Sequence, residues 1–329
     1  MYKKISLLCM LSLMACLFSL SSCKNKQAAD GGGVDSVALA PVTFDAERAY
    51  QSIEKQCSFG PRVPNSAAHD SCAAWIVSQF RALGLSVTEQ KTTLTAWDGK
   101  SLGCNNITAS YKPENKDRII ICTHWESRPW ADEDPDTTKR REPVMAANDG
   151  ASGVAVMLEI ARLLPQLNPS VGIDFICFDL EDYGAPAWGT GADDGSDWCL
   201  GSQYWARNLP EGYKPRYGIL LDMVGGQDAR FPIEYYSAQY AADVIARVWS
   251  AAQTTGNGAL FVTESGGPIQ DDHLPMNQIA GIPTIDIVSN TGTTFSRTWH
   301  TTFDTPQNIS TDILQSVGQT LLQVIFEEK

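Results

Sequence analysis

Strand and helix signals alternate along this chain, and that alternation predicts an α/β fold with a mostly parallel mixed central sheet and helices on both faces. Two observations sharpen the expectation. Residues 117–124 and 171–179 are near-continuous apolar runs, as expected of strands covered on both sides. No internal repeat or break in composition divides residues 43–329, so a single domain is expected there.

Taken in order, apolar residues at helical spacing (Phe44, Ala49, Ile53, Cys57) predict a helix over 44–57, stopped by Phe59-Gly60-Pro61. The cap-like Asn65-Ser66 opens a second helix ending near Leu83, before Gly84. Residues 85–96 and 103–111 alternate as strands, and 117–124 is a buried strand. Residues 128–143, charged and punctuated by proline, read as a surface loop. A helix follows over 149–164, closed by Pro165. Strands are expected at 171–179, 217–224 and 283–288, and helices at 238–254 and 310–326.

The N-terminus carries a targeting pattern. Lys3 and Lys4 precede an apolar run over 5–20, too short and wrongly flanked for a stable span. The run ends in Leu20-Ser21-Ser22-Cys23, which is similar to a bacterial lipoprotein signal with Cys23 as the lipidated residue; Leu13-Met14-Ala15-Cys16 is a rival box, and an ordinary secretory signal is the alternative. The division expected is a signal over 1–22, a Gly31-Gly32-Gly33-containing tether over 23–42 and the catalytic domain from 43. On this reading the protein is exported and membrane-anchored, facing the periplasm or cell surface, and a monomer. A net charge of −13 with no basic run after the signal argues against nucleic acid and anionic lipid surfaces as partners. Six of the nine cysteines lie beyond Cys23. Cys57 with Cys72 is the first disulfide to test, Cys122 and Cys177 read as buried small hydrophobes, and no Cys-x-x-Cys spacing suggests a cysteine metal site.

Polar residues gather where an α/β sheet binds ligands, outside the carboxyl ends of its strands. His124, Glu181 and Asp222 fall at or just beyond predicted strand ends, Asp149 opens a helix, and His300 lies in a loop. Zinc at a catalytic centre takes three protein ligands and keeps one position open. Asp149, Asp182 and His300 are the expected three, with one zinc per chain. Glu181 precedes a ligand, and its side chain points away from its neighbour's, so it is free to act on substrate. Alone, Glu181-Asp182 would read as a solvated acidic turn; beside a buried strand and matching Asp and His motifs it reads as a site.

The set His124-Trp125-Glu126-Ser127, Asn148-Asp149-Gly150-Ala151-Ser152-Gly153, Glu181-Asp182, Leu221-Asp222 and His300 resembles the zinc aminopeptidase superfamily. Within it, Ile269-Gln270-Asp271-Asp272-His273-Leu274-Pro275, Trp299-His300-Thr301 and Trp188 resemble animal-type glutaminyl cyclases, from about Asp45 to the C-terminus. The resemblance implies a zinc aminopeptidase-like fold, ligation by Asp149, Asp182 and His300, and acid–base work by Glu181. It further implies that Asp222 and Asp271 hydrogen-bond around that glutamate, and that Trp188, Trp299, Ile269 and Gln270 line the substrate pocket. Two departures stand out: Asp182 replaces the glutamate of the animal enzymes, and the interval from Glu181 to Trp188 is one residue longer.

The implied reaction cyclises the N-terminal glutamine of a peptide to pyroglutamate and releases ammonia. Zinc polarises the γ-amide, and crowding by Asp222 and Asp271 raises the proton affinity of Glu181. A secreted zinc aminopeptidase is the rival reading, because His124, Asp149, Asp182, Asp222 and His300 occupy all five positions of a two-zinc hydrolase. In the cyclase reading His124 and Asp222 are hydrogen-bonding support. A catalytically inert surface-binding lipoprotein is a third reading, which the intact Glu181 disfavours. His273 reads as a supporting imidazole beside Asp272, His69 as a surface group, Trp198 and Trp205 as packing, and Trp125 and Trp130 as either rim or core.

Overall fold

The two near-continuous apolar runs form the middle of the sheet. β3 (Arg118–His124) and β4 (Gly172–Phe178) are buried at every residue and pair in parallel, with Ile121 opposite Phe175. On one side β3 is joined by β5 (Gly218–Asp222) and then β8 (Thr284–Val288), both parallel. On the other, β4 pairs antiparallel with β2 (Ser101–Tyr111), which pairs antiparallel with β1 (Ser86–Thr95) at the edge. The order is β1-β2-β4-β3-β5-β8, a mixed sheet whose four parallel strands lie together. β6 (Phe231–Ile233) and β7 (Phe261–Ser265) form a separate parallel pair. The computed structural model describes residues 38–192, 194–290 and 294–328. The expected signal, Cys23 and most of the tether lie outside the described residues.

Period-two alternation sends successive strand residues to opposite faces. Ile119, Ile121, Ile173, Phe175, Cys177, Ile219 and Leu221 meet a core that includes α1 (Ala46–Cys57), α2 (Ala67–Ala82), α3 (Ala151–Leu167), α6 (Ala242–Thr254) and α8 (Thr311–Glu327). Ile120, Cys122, Ile176, Phe178 and Leu220 face a second cluster with Trp205 of α4 (Leu200–Arg207) and Met276 of α7 (His273–Gln278). The sheet is covered on both faces, as the apolar runs require.

The expected elements recur with shifted ends. Ser66 caps α2 through the His69 amide, and Ser310 caps α8 through that of Ile313. α3 does not stop before Pro165 but continues to Leu167 and ends at Asn168, in the left-handed conformation with φ 45°. A proline in the last turn forfeits one backbone bond and leaves the rest of the helix intact. The helix expected over 238–254 is two, α5 (Tyr235–Tyr240) and α6, broken where Ala241 leaves helical geometry at φ −143°. The last residues assigned to the tether are held: Gln323 of α8 donates to the Ala38 carbonyl and accepts from the Ala40 amide.

Cys57 and Cys72 are not bridged. All six described cysteines are free and buried, and the Cys57 sulfur is turned toward the Met145 carbonyl at 4.0 Å.

α3 runs tightly over the strand ends. A Cβ at Gly153 would lie 2.2 Å from Thr123 Oγ1 and 2.9 Å from the Leu221 carbonyl oxygen. Gly153→Ala is therefore expected to cost about 1–3 kcal/mol by overpacking, read as a lower urea midpoint; an unchanged midpoint would mean the helix can lift from the sheet.

Candidate active site

The carboxyl ends of the parallel strands deliver the chemistry. His124 ends β3 and Asp222 ends β5. β4 ends at Phe178, and the chain turns through Leu180 at φ 58° into Glu181-Asp182. Asp149 stands just before α3 and is positioned by its backbone: the Asn148 and Asp149 amides donate to the two oxygens of Asp304, at 2.8 and 3.0 Å. Gly150, at φ 93°, must be glycine twice over, because a Cβ there would also meet the His124 ring at 2.9 Å. Met223 and His300 also have positive φ, 51° each. Non-glycine residues held this way are costly and concentrate at functional sites.

Asp149, Asp182 and His300 come together, each offering an atom within 4.8 Å of the others. His300 Nε2 lies 3.1 Å from Asp182 Oδ1 and 3.7 Å from Asp149 Oδ2. All three are buried, and Asp182 Oδ2 has no hydrogen-bond partner. Two carboxylates and an imidazole converging with an orphaned oxygen suit a zinc ion, whose ordinary ligands are these atoms. His124 forms a neighbouring group with Asp149 and Asp222, its Nε2 2.9 Å and 3.3 Å from their oxygens. Burial opposes the imidazolium of His124, but bonds to Asp149, Asp222 and Glu126 outweigh it and raise its pKa well above the usual range.

Glu181 is 8% exposed at the cavity floor, with Oε1 3.5 Å from the Cys199 sulfur. Burial, then the charges of Asp271 and Asp182, push its pKa well above the ordinary carboxyl range. Loss of hydration, then Asp149, raises Asp222 to about 6; burial, then Asp222, raises Asp271 to about 7.

The cavity, about 240 Å³, is lined by Asp149, Glu181, Asp182, Asp222, Asp271 and His300 on its polar side. Trp198, Trp299, Phe295, Ile269, Gln270, Met223 and Pro268 complete it. Larger grooves exist elsewhere, one of 560 Å³ between α2 and β1/β2, but none of the zinc-type triad lines it.

The aromatic walls differ from expectation. Trp188 does not enter the cavity: it is 40% exposed and lies over the guanidinium of Arg141 at 4.8 Å. Trp198, read from sequence as packing, takes the wall instead, its ring parallel to that of His300 at 6.2 Å. Beyond Glu181 the chain supplies its indole to the cavity at Trp198 rather than Trp188. Trp299 also stacks on His300, with ring centroids 3.7 Å apart.

Sequence reasoning missed the support behind the triad. Arg128, placed in a surface loop, is buried; its guanidinium donates to both oxygens of Asp132 at 2.6 Å and to the Asp182 carbonyl at 3.0 Å. Asp132 lies 3.5 Å from His300 Nδ1 and orients the ring. Glu126 accepts from the Asp182 amide at 2.9 Å. His69 is buried rather than on the surface, 2.9 Å from Asp179 and stacked on Trp125. His273 is fully buried against Glu234 at 3.2 Å, behind Asp271. The signal available in sequence was Arg128-x-x-x-Asp132 inside an otherwise polar loop, which periodicity cannot distinguish from exposed charge.

A model of peptidase family M28 matches residues 106–325, and the chain belongs to that family. Among solved structures it is similar to Bacteroides thetaiotaomicron glutaminyl cyclase bound to N-acetylhistamine: 48% identical, covering 88% of this chain and 99% of that one, TM-score 0.86. It is also similar to a leucine aminopeptidase precursor from the same species, at 47% identity, 89% and 100% coverage and TM-score 0.86. The curated aminopeptidase YwaD of Bacillus subtilis is 27% identical over 282 residues, 82% of this chain; the chain spans about half of that relative's length, 54%. The fold is that of the zinc aminopeptidase superfamily, and the family supports zinc as the metal of the site.

Two predictions follow from the buried charge. Arg128→Met should lower stability by about 3–5 kcal/mol by stranding Asp132 and Asp182, measured by chemical denaturation; a loss below 1 kcal/mol would show that water reaches them. In metal-stripped protein, Asp222, Asp271 and Asp304 (about 7, from burial and Asp149) hold protons that the unfolded chain has released above about pH 4. His124 acts in the same direction above about pH 6.5. Stability should therefore fall as pH rises from about 5 to 8, while the gain in melting temperature from added zinc grows. Flat melting temperatures across that window would contradict these assignments.

Proposed function

We propose that this enzyme is a glutaminyl-peptide cyclotransferase, acting on peptides or proteins with N-terminal glutamine and releasing ammonia. The observation that carries the proposal is the pairing of Glu181, a buried carboxyl of raised proton affinity, with the Asp149–Asp182–His300 triad in an indole-walled cavity sized for one side chain. The similarity to a bacterial glutaminyl cyclase across nearly its whole length supports it.

Asp149, Asp182 and His300 would hold one zinc per chain, which when bound supplies Lewis acidity toward the substrate's γ-amide. The residues of the chain do the rest. Trp198, Trp299 and Phe295 enclose the glutamine side chain and exclude water, closing the hydrolytic route. Holding amine and amide in one pocket makes the attack intramolecular, which removes much of the entropic barrier. The α-amine nitrogen forms a bond to the side-chain carbonyl carbon, Cδ, as the bond from that carbon to the amide nitrogen breaks. Glu181 takes the proton from the amine and returns it to the departing nitrogen, which leaves as ammonia. Burial, with the charges of Asp271 and Asp182, keeps Glu181 basic enough for both transfers, and His124 holds Asp149 and Asp222 in place.

One observation favours a second reading. The His124–Asp149–Asp222 group shares Asp149 with the triad and is also compact enough for an ion, the arrangement of a two-metal aminopeptidase. We further propose export and lipid attachment through Cys23, facing the periplasm or cell surface, with a monomeric enzyme beyond the tether. The support is Lys3-Lys4, the apolar run and Leu20-Ser21-Ser22-Cys23.

Purified protein incubated with a glutamine-initiated dipeptide should release ammonia with the peptide bond intact, and should not cleave a leucine anilide. Free amino acids as main product, or two metals required for turnover, would establish the aminopeptidase. Glu181→Gln should reduce kcat by about 10²–10⁴-fold with little change in melting temperature; a variant of near-normal kcat would remove Glu181 from the mechanism.

A further inference from the structure

The short turn that carries Glu181 is gripped at both ends. At its far end the Asp182 amide donates to Glu126 at 2.9 Å, and the Asp182 carbonyl accepts from Arg128 at 3.0 Å. In the middle, the Leu180 and Glu181 carbonyls accept the Leu200 and Cys199 amides at 2.9 and 3.0 Å. At its near end the Asp179 amide donates to the Asn106 side chain at 3.0 Å, and the Leu180 amide donates to Asp179 Oδ1 at 2.9 Å. Leu180 sits at φ 58°. Leucine avoids that conformation, which persists only where the surroundings over-determine it. A change at Leu180 redirects the next residue, and the next residue is Glu181.

Asp179 is the pin of this turn, and it is fully buried. Its Oδ2 accepts the Asn105 amide of β2 at 2.7 Å, so both of its oxygens serve backbone donors. Its ion-pair partner is His69 of α2, whose Nε2 lies 2.9 Å from Oδ1. With both oxygens accepting from amides, the carboxylate is the acceptor here too, and Nε2 carries the proton. The imidazole is itself held in plane. It stacks on the Trp125 indole with ring centroids 4.3 Å apart and planes inclined by 29°, and the Trp125 N–H donates to the Asn105 carbonyl at 3.3 Å. Neither His69 nor Asp179 lines the catalytic cavity. Their effect on the reaction has to pass through the backbone of the turn.

We propose that His69 is a positioning residue for proton transfer: through its bond to Asp179 it locks the Leu180 turn and so sets where the Glu181 carboxyl stands relative to the Asp149–Asp182–His300 centre. The proposal rests on Glu181 as the proton carrier, and it holds whether the cavity cyclises or hydrolyses its substrate. Asp182 does not depend on His69 in the same way, because Glu126 and Arg128 grip its peptide separately. The metal ligands and the indole walls therefore keep their form when the near end of the turn loosens, while the proton carrier drifts. Displacement of that kind costs transition-state stabilisation more than ground-state binding.

The test is steady-state kinetics with the substrate that the wild type turns over, alongside zinc affinity measured by competition with a chelator. His69→Phe keeps the stack on Trp125 and removes the donor; His69→Gln returns a donor nitrogen close to the place of Nε2. His69→Phe is expected to lower kcat by about 10²-fold while KM and zinc affinity stay within about twofold of wild type. His69→Gln is expected to recover most of that loss. Asp179→Asn should match His69→Phe, and the double variant should lose no more than either single one, since both break the same bond. Unchanged kcat in His69→Phe, a parallel fall in zinc affinity, no recovery in His69→Gln, or additive losses in the double variant would each overturn the proposal. If His69→Phe does not fold, Asp179→Asn carries the same comparison of kcat against KM and zinc affinity. Glu181→Gln is the control: normal turnover there sinks the acid–base reading itself, whereas an inactive Glu181→Gln beside a fully active His69→Phe sinks the role of His69 alone.

Discussion

Two aspartates and a histidine cannot sit buried against one another unless something neutralises them. That constraint organises the strand ends of this molecule. Asp149 and Asp182 come from different elements, and their carboxylates would repel in a medium that screens poorly. Much of the nearby architecture serves to hold them anyway: Asp304 grips the turn before α3, Arg128 grips the turn after β4, and Glu126 accepts the Asp182 amide. Pre-formed ligands of this kind spend folding energy to be ready for a cation. The same concentration of negative charge makes Glu181 reluctant to ionise, which is the property a proton carrier requires. Metal binding and proton transfer thus share one electrostatic cause.

Much of the architecture was legible in the sequence, for identifiable reasons. Residues 119–122 and 175–178 offer unbroken apolar side chains, so burial on both faces was the arrangement they favoured. Ser66 and Ser310 marked helix starts through capping chemistry that is local. By contrast, α4 and α7 span only 8 and 6 residues, too few for a helical period to declare itself, and β6 has 3. The break at Ala241 follows from a backbone conformation, which no side chain there announces.

The site divides the same way. Residues at strand ends could be located because strand position fixes them: His124, Glu181 and Asp222. What escaped were groups defined by partners distant in the chain. Arg128 in a charged loop looks solvated until Asp182, 54 positions away, is seen beneath it. Trp188 and Trp198 differ little as letters; one meets a surface arginine and the other the ring of His300. His69 reads as a polar helix residue until Asp179 closes over it.

The six thiols carry one more implication. They are scattered through the interior as free sulfhydryls, and none of these six staples the described residues. The described fold therefore draws none of its stability from a disulfide among these six cysteines. The domain from residue 38 on has no cross-link among these six to scramble, and burial shields their sulfur from thiol reagents until it unfolds.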